Sequence, residues 1–152
     1  MENNEVKETG LITGLGGLVN NSKTRKTIET NITDEKQIFN LENTVDFRIN
    51  DCKGEKIRVK RVMFKTYETP LDEPVVDVNG EVIKEYDRKI VTILIDDEGK
   101  SYVTASKTFA FDLRKYIATF GDDKMLVEGV EIEICEKPVA NSSNKALSFK
   151  LV

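Results

Sequence analysis

The sequence predicts a mainly β domain, a small five-stranded barrel with one helix between its third and fourth strands, preceded by a flexible N-terminal arm. Short β-branched runs separated by turn residues begin at about Lys36. One stretch with apolar residues at spacings of three and four interrupts them. Residues 1–35 are rich in glycine and asparagine and show neither the alternation of a strand nor the three-and-four spacing of a helix. We therefore expect an arm over residues 1–35 and a folded domain over residues 36–152.

The longest predicted strand covers residues 55–67. Ile57 and Val59 lie on one face of this strand, and the phase then slips by one residue before Val62 and Phe64 continue the apolar face. A slip of one residue is what a β-bulge produces, and a bulge bends the strand. We expect a long first strand with a sharp bend.

Two hairpins are predicted next. The acidic stretch over residues 68–87 contains Asn79-Gly80, a pair typical of a hairpin tip. Residues 89–95 form a continuous apolar strand, and residues 101–105 return beside it after the turn at 96–99. Residues 89–95 and 101–105 are therefore the second and third strands of the predicted barrel.

A helix and two further strands complete the domain. Ser106 is a plausible N-cap, and Gly121 ends the helical pattern. Residues 129–136 alternate apolar and acidic side chains, and residues 146–152 form the last strand. This order of strands and helix is that of the OB-fold. Five phenylalanines fit core positions of the pattern: Phe39, Phe64, Phe109, Phe120 and Phe149.

The composition argues against most catalytic chemistry. The chain has no histidine, the commonest general base near neutral pH and the commonest metal ligand. Cys52 and Cys135 lie far apart, which favours free thiols in a cytoplasmic protein. No apolar stretch approaches the roughly 20 residues that cross a bilayer. We expect a cytoplasmic protein without enzymatic activity, metal, cofactor or membrane contact.

The charge is segregated, although the formal net charge is -4. Residues 53–65 hold six cations and one anion, whereas residues 68–100 hold ten anions and four cations. A groove that follows a nucleic-acid backbone needs such a positive strand. The alternative is an ordinary solvated strand face. The candidate phosphate contacts on the first strand are Lys53, Lys56, Arg58, Lys60, Arg61 and Lys65.

Tyrosines are the candidates for base stacking. Bases stack on aromatic side chains with little regard to sequence, at about 1 to 3 kcal/mol each. Tyr67 and Tyr102 lie on predicted strands, and Lys100 and Lys107 lie near Tyr102 in the chain. For either tyrosine the alternative is partial burial with its hydroxyl on a neighbour. Together with the cations, these residues predict a surface for single-stranded nucleic acid.

Four short motifs support a family resemblance: Gln37-Ile-Phe-Asn40, the hairpin segment Asp97–Tyr102, Ser106-Lys-Thr108 and the final segment Ser142–Leu151. With these motifs, residues from about Thr30 to the end resemble single-stranded DNA-binding proteins of Gram-positive phages, including protein-primed Bacillus phages, and of conjugative plasmids. The resemblance implies sequence-tolerant coating and protection of single-stranded DNA during replication or transfer.

The N-terminal arm is expected to mediate self-association. A flexible segment of about 30 residues spans roughly 30 Å, enough to reach a neighbouring subunit on the same strand. Two rival functions remain open: a protein-interaction module that uses the acidic hairpin around Asn79-Gly80, and an acidic mimic of nucleic acid. The arm residues expected to dock on the neighbour are Leu11, Ile12, Leu15, Leu18 and Val19.

Overall fold

The computed structural model describes residues 23–140 and 143–152, together with the backbone of residues 12–18. These residues form an open mixed β-sheet with helices, so the expectation of a mainly β fold is confirmed. The strands are β1 (Ile12–Leu18), β2 (Arg25–Thr30), β3 (Phe47–Arg48), β4 (Lys56–Val76), β5 (Val82–Asp96), β6 (Ser101–Thr104), β7 (Val130–Pro138) and β8 (Lys145–Leu151). The helices are α1 (Glu35–Asn43), α2 (Lys107–Phe120) and α3 (Asp123–Glu128), with a 3₁₀ turn at Ile49–Cys52.

Strands β4 and β5 form a long hairpin that contains the predicted bulge. Val59 lies opposite Asp96 and Arg61 lies opposite Ile95, which leaves Lys60 as the extra residue. The phase slip in the sequence therefore predicted the bulge correctly.

The tip of this hairpin also follows its sequence signal. Gly80 adopts a positive φ of 81°, a conformation that glycine reaches without steric cost. The Asp77 carboxylate accepts hydrogen bonds from the backbone N–H groups of Asn79 and Glu81. The predicted turn at Asn79-Gly80 is confirmed.

Helix α2 begins and ends as its capping residues predict. The Ser106 hydroxyl accepts a hydrogen bond from the Phe109 N–H, and Gly121 follows the helix with a φ of 75°. Phe109, Leu113 and Ile117 of this helix are buried. The helix therefore packs one apolar stripe against the sheet.

The central strands are covered on both faces. Alternation along β4 sends Val62 and Phe64 into the larger core, which includes the buried side of α2. Met63 points the other way into a smaller core with Ile28 and with Leu41 of α1. Because both faces are buried here, this part of β4 is continuously apolar rather than alternating.

The five predicted strands correspond to β4–β8, but the sheet is not a closed barrel. The outer edge of β6 is occupied by β3, which pairs with it in parallel. β8 therefore cannot pair with β6 to close a barrel. Within the described residues, β8 pairs with β7. Strand β3 has two residues, far fewer than the four to eight of a strand that a sequence pattern usually predicts.

The prediction of a single helix is also wrong. Helix α1 precedes the long strand, and α3 follows α2 almost directly. Asp34 is the N-cap of α1, and its carboxylate accepts a hydrogen bond from the Lys36 N–H. The helix is short and mostly polar, with Leu41 as its buried residue, so its sequence lacks the broad apolar stripe that predicts a helix.

The flexible arm is contradicted where the structure describes it. β2 pairs with β4 over residues 63–68, β1 pairs with β2, and both Ile28 and Ile32 are buried. The predicted domain boundary at residue 36 thus falls inside a folded region. Threonine and charged residues dominate β2 and hid its strand character. Of the expected docking residues, Ile12, Leu15 and Leu18 belong to the β1 backbone, and Leu11 and Val19 lie outside the described residues.

The phenylalanines divide between core and surface. Phe64 and Phe109 are fully buried and Phe149 is partly buried, as expected. Phe39 and Phe120 are 68% and 67% exposed, so their assignment to the core is wrong. In the part of the chain that the structure describes, no helix is both long and apolar enough to span a bilayer.

Candidate nucleic-acid interface

The structure separates the cations of the predicted first strand. Lys65 is buried, and its Nζ lies 3.2 Å from a carboxylate oxygen of Glu42 in α1. The other Glu42 oxygen accepts from Lys26 Nζ at 2.7 Å. Arg61 donates to the backbone carbonyl of Asn31 at 2.9 Å. These cations hold α1 and its preceding loop on the sheet.

A second pair of cations lies beside the end of α3. Arg58 donates to the carbonyl oxygen of Glu128 at 3.1 Å, and Lys60 Nζ donates to that of Val127 at 3.2 Å. Cations near a helix C-terminus satisfy its orphan carbonyls and complement its dipole. The two side chains therefore have a local structural role.

Lys53 and Lys56 of this set, and Lys100 beside Tyr102, lie on the surface. Lys53 Nζ is 3.0 Å from Glu136, and Lys100 Nζ is 3.3 Å from Glu98. Lys56 is exposed at the start of β4. The structure therefore does not bring the six predicted cations together into one groove.

Tyr102 lies at the edge of the sheet and is partly buried. Its hydroxyl donates to Asp96 Oδ2 at 2.9 Å. Burial, and then the Asp96 carboxylate, raise the pKa of Tyr102 well above its usual range. Its ring is stacked on Phe47, with centroids 5.2 Å apart and planes 27° apart. Tyr102 thus packs against the ring of Phe47 and helps to hold that ring in place.

Phe47 is the functional candidate that the sequence reasoning missed. It belongs to β3 opposite Tyr102, and its side chain is 45% exposed. The alternation of Val45, Phe47 and Ile49 with polar residues was the available signal. An exposed ring that is already stacked on one side has its orientation fixed, so it offers a flat platform for another planar group.

Tyr67 occupies a different place from Tyr102. It is half-buried on β4, opposite Lys26 of β2 on one side and Lys89 of β5 on the other. Directly opposed residues in antiparallel strands point to the same face. Tyr67 therefore shares the face of the sheet on which α1 and the smaller core lie.

Two adjoining grooves follow the β3–β6 edge. The aromatic groove, about 540 Å³, is lined by Phe47, Tyr102, Lys100, Asp51 and Glu55 among others. The basic groove, about 490 Å³, is lined by Arg48, Asn50, Lys89, Val91, Thr104 and Ser106 among others. Arg48 and Val103 line both grooves, so the grooves adjoin at this edge. Tyr102 packs on the larger core and Val103 on the smaller core, so the two grooves lie on opposite faces of the sheet and meet across its edge.

The two grooves differ in charge. The lining of the basic groove contains Arg48 and Lys89 and no acidic residue. Exposed Lys107 directly follows Ser106, which also lines this groove. The aromatic groove contains three carboxylates, of which Asp46 accepts hydrogen bonds from the Ser101 N–H and hydroxyl. The basic groove is thus the part of this edge that suits an anion.

The acidic side of the aromatic groove affects its cysteine. Burial, and then Glu55 and Asp51, raise the pKa of the Cys52 thiol. A raised thiol pKa lowers the fraction of reactive thiolate. Cys52 and Cys135 are both free, as expected. Among the residues that the structure describes, no three histidine, cysteine or acidic side chains are grouped to hold a metal ion.

Comparison of the chain with protein-family models, with curated proteins and with solved structures finds no match.

Proposed function

We propose that this chain binds single-stranded DNA along the β3–β6 edge, without strong sequence preference and without catalysis. The observation that supports it best is the exposed, stacked ring of Phe47 next to a groove that contains Arg48 and Lys89 and no acid. Single-stranded nucleic acid is bound by this combination of aromatic platforms and a positive groove.

Each part of the surface has a role in this proposal. A base stacks on the open face of Phe47, while Tyr102 holds the ring from behind. Arg48 and Lys89 contact the phosphates that follow, and Lys107 extends the positive path beyond Ser106. Asn50 and Thr104 offer polar contacts between them.

We further propose that strands β4–β8 are a partly open form of the OB-fold barrel. The order of their pairing is β6-β5-β4-β7-β8, with β4 central and carrying the bulge at Lys60. Oligonucleotides bind OB-folds on the face and loops around the second and third strands. β5 and β6 are those strands here, and they line the basic groove. Such a protein would coat and protect single strands during replication or transfer.

A titration of fluorescent oligo(dT) with the full chain tests the proposal. Three phosphate contacts predict that log K falls with log salt with a slope of about -2, since each contact on a single strand contributes about -0.7. F47A is expected to weaken binding about tenfold, the lower part of the range for losing one stacked base. R48A and K89A should each weaken binding and reduce the salt slope by about 0.7.

The matched control is K124A. Lys124 is an exposed lysine of α3 that does not line either groove of the β3–β6 edge. Its replacement changes the net charge by the same amount as K89A, and it should leave affinity nearly unchanged. Absence of oligo(dT) binding by the wild-type chain at low salt, or equal losses for K89A and K124A, would refute the proposed site.

A further inference from the structure

The distal part of the β4–β5 hairpin projects beyond the rest of the sheet. The pairing of β2 with β4 ends at Glu68, and the pairing of β6 with β5 ends at Thr92. Among the described residues, β4 and β5 pair only with each other between residues 69 and 87. We call this two-stranded segment, residues 69–87 with its turn, the ribbon.

The ribbon exposes both apolar and acidic side chains. Six acidic residues and one lysine lie between Thr69 and Asp87. Val78 at the tip is fully exposed, and Ile83 is 64% exposed. Val76 lies directly opposite Val82 across the hairpin, so these two side chains share a face, and exposed apolar patches with a polar rim mark interaction sites. The exposed large apolar residues of the ribbon are Val75, Val76, Val78, Val82, Ile83 and Tyr86.

The β4 edge of the ribbon is unsuited to strand addition. It carries Pro70 and Pro74, and the register is irregular between Pro70 and Val75. Proline has no N–H to donate to a neighbouring strand, and proline and bulges are devices that protect sheet edges. A partner is therefore not expected to pair along this edge.

Symmetric pairing of two β5 edges is unfavourable for a different reason. When two copies of one strand pair antiparallel around a two-fold axis, the residue on the axis lies opposite its own copy. The residue that follows it by some number of positions then lies opposite the residue that precedes it by the same number in the other copy. An axis at Tyr86 opposes Glu85 to Asp87, and an axis at Ile83 opposes Glu81 to Glu85. Like charges directly opposite are destabilising. An axis at a charged residue opposes that residue to its own copy, which applies to Lys84, Glu85, Asp87, Arg88 and Lys89.

The basic groove is complementary to the ribbon tip both in charge and in its apolar side chains. Its cations are Arg48 and Lys89, and it contains the apolar side chains of Val91, Val103 and Ala105. The ribbon tip offers the reverse arrangement, with valines flanked by carboxylates. We propose that the ribbon tip of one copy of this chain docks in the basic groove of a second copy.

This contact is heterologous because it joins two different surfaces. Heterologous contacts build rings or open chains of subunits rather than closed two-fold dimers. The docked ribbon would occupy the groove that we assign to DNA, so oligo(dT) is expected to dissociate the chains. The self-association itself is measured without DNA, and its outcome is therefore separate from that of the DNA proposal.

Sedimentation velocity of the full chain over a range of concentrations tests the docking. The average mass should rise with concentration at low salt and fall again at high salt, because the contact joins opposite charges. The ribbon variant V78S/E73K and the groove variant R48E/K89E should each remain monomeric. These substitutions are at surface positions, and circular dichroism confirms that each variant is folded.

Mixing the two variants gives the decisive result. The groove variant keeps an intact ribbon and the ribbon variant keeps an intact groove, so an equimolar mixture should form a one-to-one complex. A wild-type chain that stays monomeric at its highest attainable concentration would overturn the proposal. So would self-association that survives in the groove variant, which would indicate ribbon-to-ribbon contact.

Discussion

Replacement of Glu42 by glutamine tests how α1 is held on the sheet. Glu42 accepts from Lys26 and from buried Lys65, so E42Q leaves the Lys65 ammonium in the interior without its counter-ion. Removing one partner of a fully buried pair costs about 3 to 5 kcal/mol. The Glu42 side chain is 22% exposed, which lowers the expected loss of unfolding free energy to about 2 kcal/mol.

The loss is measured by urea and thermal denaturation. For a chain of this length, about 2 kcal/mol corresponds to a decrease in Tm of roughly 4 to 8 °C. The urea midpoint should fall by about 1 M, given an m-value of about 2 kcal/mol/M. E35Q is the matched control, because Glu35 lies exposed on the same helix.

The pair should also contribute to the pH dependence of stability. Burial of Glu42 raises its pKa, but hydrogen bonds and charges from Lys26 and Lys65 outweigh burial and hold the pKa below its usual value. A carboxyl with a lowered folded-state pKa contributes stability above its unfolded-state pKa and loses it as pH falls through the folded-state value. Stability of the wild type should therefore fall more steeply in acid than that of E42Q.

A second substitution separates the unpaired charge from other effects of E42Q. In E42Q/K65M the buried ammonium is replaced by an apolar side chain of similar length, which relieves the uncompensated charge. The double variant should recover about half of the lost stability or more. If E42Q is as stable as E35Q, or if K65M does not rescue it, the ion pair does not hold α1 as described.

The remaining predictions concern the core and one glycine. G129A should lower the unfolding free energy by about 2 kcal/mol in chemical denaturation, because Gly129 has a φ of 79° and a new Cβ would lie 2.6 Å from Arg58 Cγ. R58A/G129A should relieve the clash but not the backbone strain, so full recovery would contradict this reasoning. F109A should cost about 3 to 5 kcal/mol, whereas F39A should change stability by less than about 0.5 kcal/mol. Equal losses for the two phenylalanine variants would contradict their observed burial.

The sequence predicted best the features that local chemistry determines. The bulge at Lys60, the Asn79-Gly80 turn and the capped helix after Ser106 each depend on a few neighbouring residues. Backbone preferences and capping hydrogen bonds act within such short segments, so their signals are readable without knowledge of the fold.

The features that the sequence did not predict depend on distant contacts. Strand β2 is mostly polar because one of its faces meets charged side chains, such as Arg114 on Glu29, and it becomes a strand by pairing with β4. Strand β3 exists because two residues pair with β6. β2 does not show the apolar–polar alternation expected of a half-buried strand, and the alternation around β3 accompanies only two paired residues.

The candidate site was predicted only in part. Tyr102 and Lys100 do line the aromatic groove, and Lys107 follows a residue of the basic groove. The cluster of cations along β4 was a poor guide, because a strand sends neighbouring residues to opposite faces and the bulge changes the phase. Arg48 and Lys89, which share the basic groove, are 41 positions apart and show no common sequence pattern.

The most direct test is an amide chemical-shift map of the ¹⁵N-labelled chain during titration with unlabelled oligo(dT). Binding along the β3–β6 edge should shift the amides of Phe47, Arg48, Lys89, Tyr102 and Ser106 in a saturable manner and leave the β7–β8 hairpin unchanged. A spectrum that does not change, or shifts confined to the surface around Lys56 and Lys53, would show that DNA is not bound at this edge.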